Sequence, residues 1–421
     1  MRQPKILTTI KTYDRSQFIA DLIAGITVAM VALPLSLAIA IASGAAPEKG
    51  IITAIIAGFL ISFFGGSRFQ IGGPTGAFIV VVFSIITDHG YDGLVLATFM
   101  AGIILLIAGY FRAGRLITYV PEAVVSGFTI GIAIVIATSQ LPDFLGLSIE
   151  HVPADFFEKI PILWEGRGSF QLSAFIISLF TLGSIIAFAH FFPRFPGLII
   201  AVGIGSAIVY LVHLPVDTLG SRFGELPRQL PWPEFPAISA SRFIELLPSA
   251  FVIAFLAGVE SLLSAMVADR MSKGQHRPNA ELLAQGIANI GSAFFAGLPA
   301  TGAIARTATN IRAGGKTPIA GIVHAITILL IMLIATPMAG YLAMPALAAL
   351  LMITAWNMSE PKKWRDYAKA TNRDKFLLLL TMVLTVAIDL TIAIGVGIAL
   401  GLAFEYSNRE ATKSDWSPPK R

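Results

Sequence analysis

Apolar runs close to the ~20 residues that cross a bilayer's hydrocarbon core as a helix follow one another along almost the whole chain. They fall at 22–44, 50–66, 93–111, 121–140, 172–191, 196–214, 248–268, 281–296, 318–337, 340–357, 375–389 and 390–407. Each is predicted to be a helix, because in lipid only a helix or a closed barrel satisfies every backbone N–H and C=O. Two further apolar stretches, after Pro74 and after Pro299, are too short to span alone and bring the expected count to about fourteen. The chain is 55% hydrophobic and 13% charged, well below the roughly one quarter of charged residues usual in soluble domains. An all-α polytopic membrane protein is the expectation, with the lipid bilayer as its surroundings.

Cations set the expected orientation. Arg2, Lys5, Lys11 and Arg15 precede the first span and no small-residue cleavage site follows a short apolar region, which predicts a cytoplasmic start without a signal peptide. Arg112 and Arg115, then Arg270, Lys273 and Arg277, then Lys362, Lys363, Arg365, Lys369, Arg373 and Lys375 all follow even-numbered spans, as the positive-inside rule requires of cytoplasmic loops. The loop 141–171, with five acids against two cations, suits the outside, as does the proline-rich connection 215–246. The expected organisation is a cytoplasmic segment 1–20, a first half 21–214, the external connection 215–246, a second half 247–407 and a cytoplasmic tail 408–421.

The net charge of +5 makes no case for nucleic acid, since orientation alone explains where the cations sit. Cysteine is absent, which removes disulfides, thiolate nucleophiles and zinc–sulfur sites. His89, His151, His190, His213, His276 and His324 are scattered without metal-ligand spacing and read as loop or interface residues. Neither a cofactor nor a metal is expected.

A tripeptide recurs in the two short stretches. Thr75-Gly76-Ala77 follows Pro74 and Thr301-Gly302-Ala303 follows Pro299-Ala300, each behind a Phe-Phe pair and a glycine-rich approach. Matching, Pro/Gly-interrupted segments in the two halves of a membrane protein point to internal repeats and a binding site at the midplane. Seven segments in each half make the second copy inverted. Each tripeptide should then open a half-helix, with a threonine or neighbouring chain to cap its free amides and with Gly76, Ala77, Gly302 and Ala303 allowing close approach. Facing N-termini carry roughly +0.5 charge each and bind anions through free N–H groups. Arg306, one turn further on, adds a permanent cation, so the site is predicted to hold an anion. The competing interpretation is small-residue packing with Arg306 snorkelling to an interface. Arg312, near the end of the same short helix, reads as a structural cation at the aqueous boundary.

Glu260 is the second intramembrane charge. Such a group faces a cavity, a partner or a proton path, and Ser264 lies one turn on along its face. Glu260 can serve as a titrating group during transport or as the structural ion-pair partner of Arg306. Asp389 is a weaker case of the same kind.

These residues resemble the sulfate permease (SulP) anion transporters over nearly the whole chain, in "DLIAGITVAMVALPLSLAIAIASGAAPEKG" at 21–50, "GGSRFQIGGPTGAF" and "RTATNIRAGGKTPIAG". Within that family, "GVESLLSAMVADRM", "ATGAIARTATNIRAG" and "AWNMSE" are most similar to the bacterial aerobic C4-dicarboxylate transporters. The resemblance implies a UraA-like fold of fourteen transmembrane segments in a 7+7 inverted repeat, with a core domain moving against a gate domain, usually as a homodimer in the bacterial inner membrane. By position it implies a substrate site from Thr75, Gly76, Ala77 and Phe78 facing Thr301, Gly302, Ala303 and Ile304, with Glu260 and Arg306 beside it. Family members normally continue into a cytoplasmic STAS domain, which does not follow in these 421 residues. Sodium-coupled bicarbonate members carry an aspartate in place of Glu260 and a threonine in place of Ile304, so sodium coupling is not implied here. The function expected is secondary active, proton-coupled transport of a small anion, succinate or fumarate first, with sulfate or bicarbonate as alternatives. A passive anion channel uses the same residues, whereas an intramembrane enzyme finds no nucleophile–base or metal constellation.

Overall fold

The computed structural model describes residues 3–114, 121–149, 152–153, 155–192, 196–237, 239–388 and 390–407, so Asp389 and the tail 408–421 lie outside the described residues. Its helices up to and including the external connection are α1 (Ile6–Thr9), α2 (Arg15–Ala42), α3 (Pro47–Phe64), α4 (Ile79–Tyr110), α5 (Glu122–Ser139), α6 (Leu141–Leu145), α7 (Phe156–Glu165), α8 (Leu172–Phe191), α9 (Gly197–Val212) and, within that connection, α10 (Leu219–Phe223). The second half holds α11 (Ala240–Ser272), α12 (Pro278–Phe294), α13 (Ile304–Arg312), α14 (Ile319–Ala339), α15 (Met344–Met358), α16 (Trp364–Lys369), α17 (Asn372–Ala387) and α18 (Leu390–Ser407). Two short strands, β1 (Gly72–Gly73) and β2 (Thr301–Gly302), interrupt them at the two stretches singled out above.

Among the described residues, seven helices are long and apolar enough to cross a membrane alone. Most of the other expected spans are short: α9, α12, α15 and α17 have 16, 17, 15 and 16 residues. At 1.5 Å per residue such helices measure about 24 Å, less than the ~30 Å of hydrocarbon. Helix α4 contains two of the expected segments, because Gly90 at φ 74 and ψ 175 breaks it. That left-handed backbone suits glycine, and it turns a half-helix that starts beside Thr75 into the full span that follows.

The helices pack into two groups. α2, α3, α4, α11, α12, α13 and α14 form the core, while α5, α6, α8, α9, α15, α17 and α18 form the gate. Contacts of one half recur in the other. α14 packs on α2 as α4 packs on α11, α14 on α3 as α4 on α12, and α15 on α8 as α5 on α17. The gate repeats even a detail. The buried hydroxyls of Thr181 on α8 and Thr381 on α17 have no hydrogen-bond partner among the described residues, and each lies against a glycine of the next helix, Gly205 of α9 and Gly397 of α18. Small residues at such contacts let backbones approach where lipid supplies no hydrophobic drive between helices.

A carboxylate locks one such pairing in the core. Asp21 on α2 is fully buried. Its Oδ1 accepts from the backbone N–H of Lys316 at 2.6 Å and Thr317 at 3.0 Å, and its Oδ2 from the Thr317 hydroxyl at 2.5 Å, just before α14. The Tyr13 hydroxyl donates to the same Oδ2 at 3.2 Å, and burial, with the Asp21 charge behind it, pushes that phenol up to about 12. Asp21→Ala would leave buried donors unpaired, so it is expected to cost about 3 kcal/mol and to lower the thermal midpoint in detergent. An unchanged midpoint would show that α2 and α14 hold together without this cap.

Candidate functional site

The two irregular stretches cross side by side. β1 pairs antiparallel with β2, Gly72 opposite Gly302 and Gly73 opposite Thr301. Chain leaving β1 turns into the half-helix that begins at Gly76, and chain leaving β2 turns into α13, so the antiparallel pairing sends the two helices apart and leaves their N-termini at the crossing. Irregular backbone at such depth survives only when protein surrounds it, and buried polar side chains supply the partners. Gln70 Nε2 donates to the Ser261 carbonyl and hydroxyl, both at 3.0 Å. The Asn289 amide donates to Ala300 O at 2.9 Å and accepts from Ala300 N at 2.9 Å. Asn310 Nδ2 donates to Phe69 O at 2.9 Å.

The threonines do not cap the half-helices. Thr75 Oγ1 donates instead to Glu260 Oε2 at 2.8 Å, and Thr301 Oγ1 to Ala257 O at 2.8 Å. Both bonds reach α11, whose carboxylate and carbonyl compete successfully for the hydroxyls. No side chain caps the helix at Gly76 or at Ile304, so the first N–H groups of both, which have no intrahelical acceptor, remain available to a ligand.

Arg306 is 1% exposed. Its Nη2 donates to Ser36 Oγ at 3.1 Å and Pro74 O at 3.0 Å, whereas Nε and Nη1 have no hydrogen-bond partner among the described residues. A Cβ at Gly73 would run into Nη1, and its φ of +150° is one that L side chains rarely adopt, so glycine suits this position. Glu260 forms no ion pair with Arg306 within 4.0 Å; its hydrogen-bond partner is Thr75. The arrangement is again two-fold: Ser36 of α2 holds Arg306 of α13, and Glu260 of α11 holds Thr75 ahead of the other half-helix.

Thr75, Gly76, Ala77, Glu260, Ala303, Ile304 and Arg306 line one cavity of about 1870 Å³ between core and gate. Its far wall is α5 and α15, with Phe128, Thr129, Thr354 and Met358, and its lining also carries Arg270, Arg312 and Lys363 together with Glu122, Glu360 and Asp366. Over the chain, residues 18–381 match the model of the sulfate permease family.

The chain belongs to the sulfate permease family. It is 44% identical to the candidate sulfate transporter YvdB of Bacillus subtilis, over 89% of this chain and 71% of that one. It is 31% identical to the bicarbonate transporter BicA of Picosynechococcus sp., over 78% of this chain and 60% of that one. The solved transmembrane domain of a cyanobacterial BicA superposes with a TM-score of 0.81 at 29% identity, covering 91% of this chain and 98% of that one. Murine Solute Carrier 26 family member A9 shares the fold at 17% identity, with a TM-score of 0.87 over 96% of this chain and 71% of that one. These relatives are named as transporters and none as an enzyme.

In this sulfate permease, Phe78, Thr301, Gly302 and Ser264 stand outside the cavity wall. Phe78 is buried in the core. Thr301 and Gly302 form the crossing strand. Ser264 donates to the Thr307 hydroxyl at 3.1 Å, which accepts in turn from Ile71 N at 3.1 Å; it braces the crossing from behind. His324, expected at a loop or interface, is fully buried in α14 with both ring nitrogens unpartnered among the described residues. Sequence reasoning also missed Ser36 and the Gln70–Ser261–Glu281 network, in which buried Glu281 accepts from Gly66 N at 2.8 Å and Ser67 N at 3.1 Å and from Ser261 Oγ at 3.2 Å. The recurrence of polar residues at Gln285 and Asn289, four and eight positions after Glu281, is the signal that would have found this face.

Proposed function

We propose that this sulfate permease is a secondary active transporter that carries a small anion by moving its core past its gate, and that its preferred cargo is a C4-dicarboxylate such as succinate or fumarate taken up with a proton. The observation that carries the anion site is buried Arg306, its Nε and Nη1 unpartnered, placed beside two uncapped helix N-termini. Anions bind at such ends, and an unpaired buried cation is costly unless a ligand completes it.

The dicarboxylate preference rests on the cavity's polarity. Around the charged groups the wall is Ala77, Ala303, Leu256, Val259 and Ile304, the last 38% exposed. A dicarboxylate lays a hydrocarbon body on such a wall, whereas sulfate needs donors on every side. Ile304 also offers no oxygen to sodium, which favours a proton as the coupled ion. Sulfate is the second interpretation, favoured by the 44% identity with YvdB. Competition against labelled succinate in proteoliposomes separates them. Fumarate should displace the label at concentrations about tenfold below those of sulfate or bicarbonate, the ratio expected for about one discriminating polar contact. The reverse order would establish the sulfate or bicarbonate function. Saturable counterflow is expected throughout, and single-channel currents would replace the carrier by a channel.

A further inference from the structure

The first described residues form a strap across one end of the core. Lys5 N donates to Gly65 O at 2.8 Å, just past α3, and Lys5 Nζ to Gln275 O at 2.9 Å, between α11 and α12. Arg277 Nη1 returns to Gln3 O at 2.9 Å and Pro4 O at 3.2 Å. These bonds attach the strap to core elements. They also hold Lys5 and Arg277 together, and Arg277 N donates to Gly66 O at 3.0 Å, two positions before the third cation, Arg68. Burial, then the charges of Arg277 and Arg68, keep the Lys5 amine below its ordinary range. Arg68 is exposed and has no hydrogen bond or ion pair among the described residues. Asp269, the nearby acid, is occupied by the His276 backbone at 2.8 Å and ring at 2.7 Å. No carboxylate forms an ion pair with Lys5, Arg68 or Arg277 within 4.0 Å among the described residues, although the Asp269 charge reaches Lys5.

The same strap is amphipathic. Ile6 and Thr9 face the core, while Leu7 is 54% and Ile10 57% exposed. Phe18 and Ile19 on α2, and Phe59 and Phe63 on α3, are exposed as well, so apolar side chains flank the cations at the end of the spanning helices. A cationic patch beside an outward apolar stripe suits the plane where headgroups meet acyl chains.

We infer that this corner of the core docks an anionic phospholipid, its phosphate among Lys5, Arg68 and Arg277 and its acyl chains over Leu7 and Ile10. Charge complementarity selects that occupant, and a membrane protein meets it at high local concentration. Binding does not depend on the transport function proposed above. If that function holds, the lipid grips the domain that moves.

Native mass spectrometry of protein extracted from phosphatidylcholine vesicles with and without phosphatidylglycerol tests the inference. The parent should retain phosphatidylglycerol in preference to phosphatidylcholine. Lys5→Gln with Arg68→Gln should retain roughly thirtyfold less, as expected for two surface cations. Arg68→Gln alone, which breaks no internal bond, should lose part of that retention at an unchanged thermal midpoint, so a folding defect in the double variant does not decide the result. Leu7→Ser with Ile10→Ser should weaken lipid retention without changing binding of soluble glycerol phosphate. Equal phosphatidylglycerol retention in parent and both cation variants overturns the inference. Displacement of the lipid by millimolar glycerol phosphate would mean that a free anion, and no membrane surface, is the ligand.

Discussion

Arg306→Ala is expected to weaken binding of the transported anion by about two to three orders of magnitude, the result of removing one partner from a buried charge pair at about 3–4 kcal/mol. The guanidinium is already oriented. Nη2 is fixed by Ser36 Oγ and Pro74 O, so little side-chain entropy remains to be lost when an anion meets Nε or Nη1. The helix ends remain after truncation, but their combined charge of about +1 faces a dianion alone. Arg306→Lys separates charge from geometry. It keeps the cation and loses the fork, so its affinity should fall between the parent and Arg306→Ala. Calorimetry on purified protein measures both, with the thermal midpoint as a control. Unchanged affinity with a lowered midpoint would make Arg306 a structural residue and move the site elsewhere.

Much of this arrangement was legible before any coordinates. The spans follow from runs of apolar residues, because each helix in lipid must satisfy its own backbone, and the observed helices fall on the expected stretches. The crossing was legible too, through the duplicated Thr-Gly-Ala tripeptide behind a proline and the parity of the segments. What the sequence concealed was the direction of individual side chains. Thr75 and Thr301 look like N-caps in any local view, yet both hydroxyls turn to α11, nearly two hundred positions away from Thr75, because a buried carboxylate and a carbonyl there accept them. Ser264 shares a helical face with Glu260 but sits one turn deeper, where α13 covers it. Glu281 opens an apolar span like an ordinary first-turn acid, and only its distant partners Gly66 and Ser67 reveal that it anchors the approach to β1. Partners far apart in the chain carry no local periodic signal, and these are the ones that position the site.

Glu260→Gln is expected to bind the anion while losing its response to pH and to an imposed proton gradient. Two helix ends at roughly +0.5 each together with Arg306 give about +2, which balances a dicarboxylate of charge −2. An ionised Glu260 lining the same cavity reduces the balance to about +1. On the proposed function, protonation restores it, the dianion and the proton would favour each other's binding, and reciprocity would make the coupling equal in both directions. The geometry accommodates this. Thr75 Oγ1 donates to Glu260 Oε2 at 2.8 Å, leaving Oε1 to take a proton from the cavity. The sign follows: binding takes up a proton, so affinity rises as pH falls, by up to about tenfold per pH unit for one linked proton, provided that the substrate stays a dianion. Glutamine keeps an oxygen for Thr75 and has the neutral charge of the protonated acid, so the variant should bind at neutral pH as the parent does at lower pH. It has no proton to release, and an inward proton gradient should no longer drive accumulation. Uptake of labelled succinate into proteoliposomes at fixed membrane potential measures this. Uphill uptake by Glu260→Gln that still follows the proton gradient would reduce Glu260 to the residue that holds Thr75 in place, and the coupling proton would have to use another route.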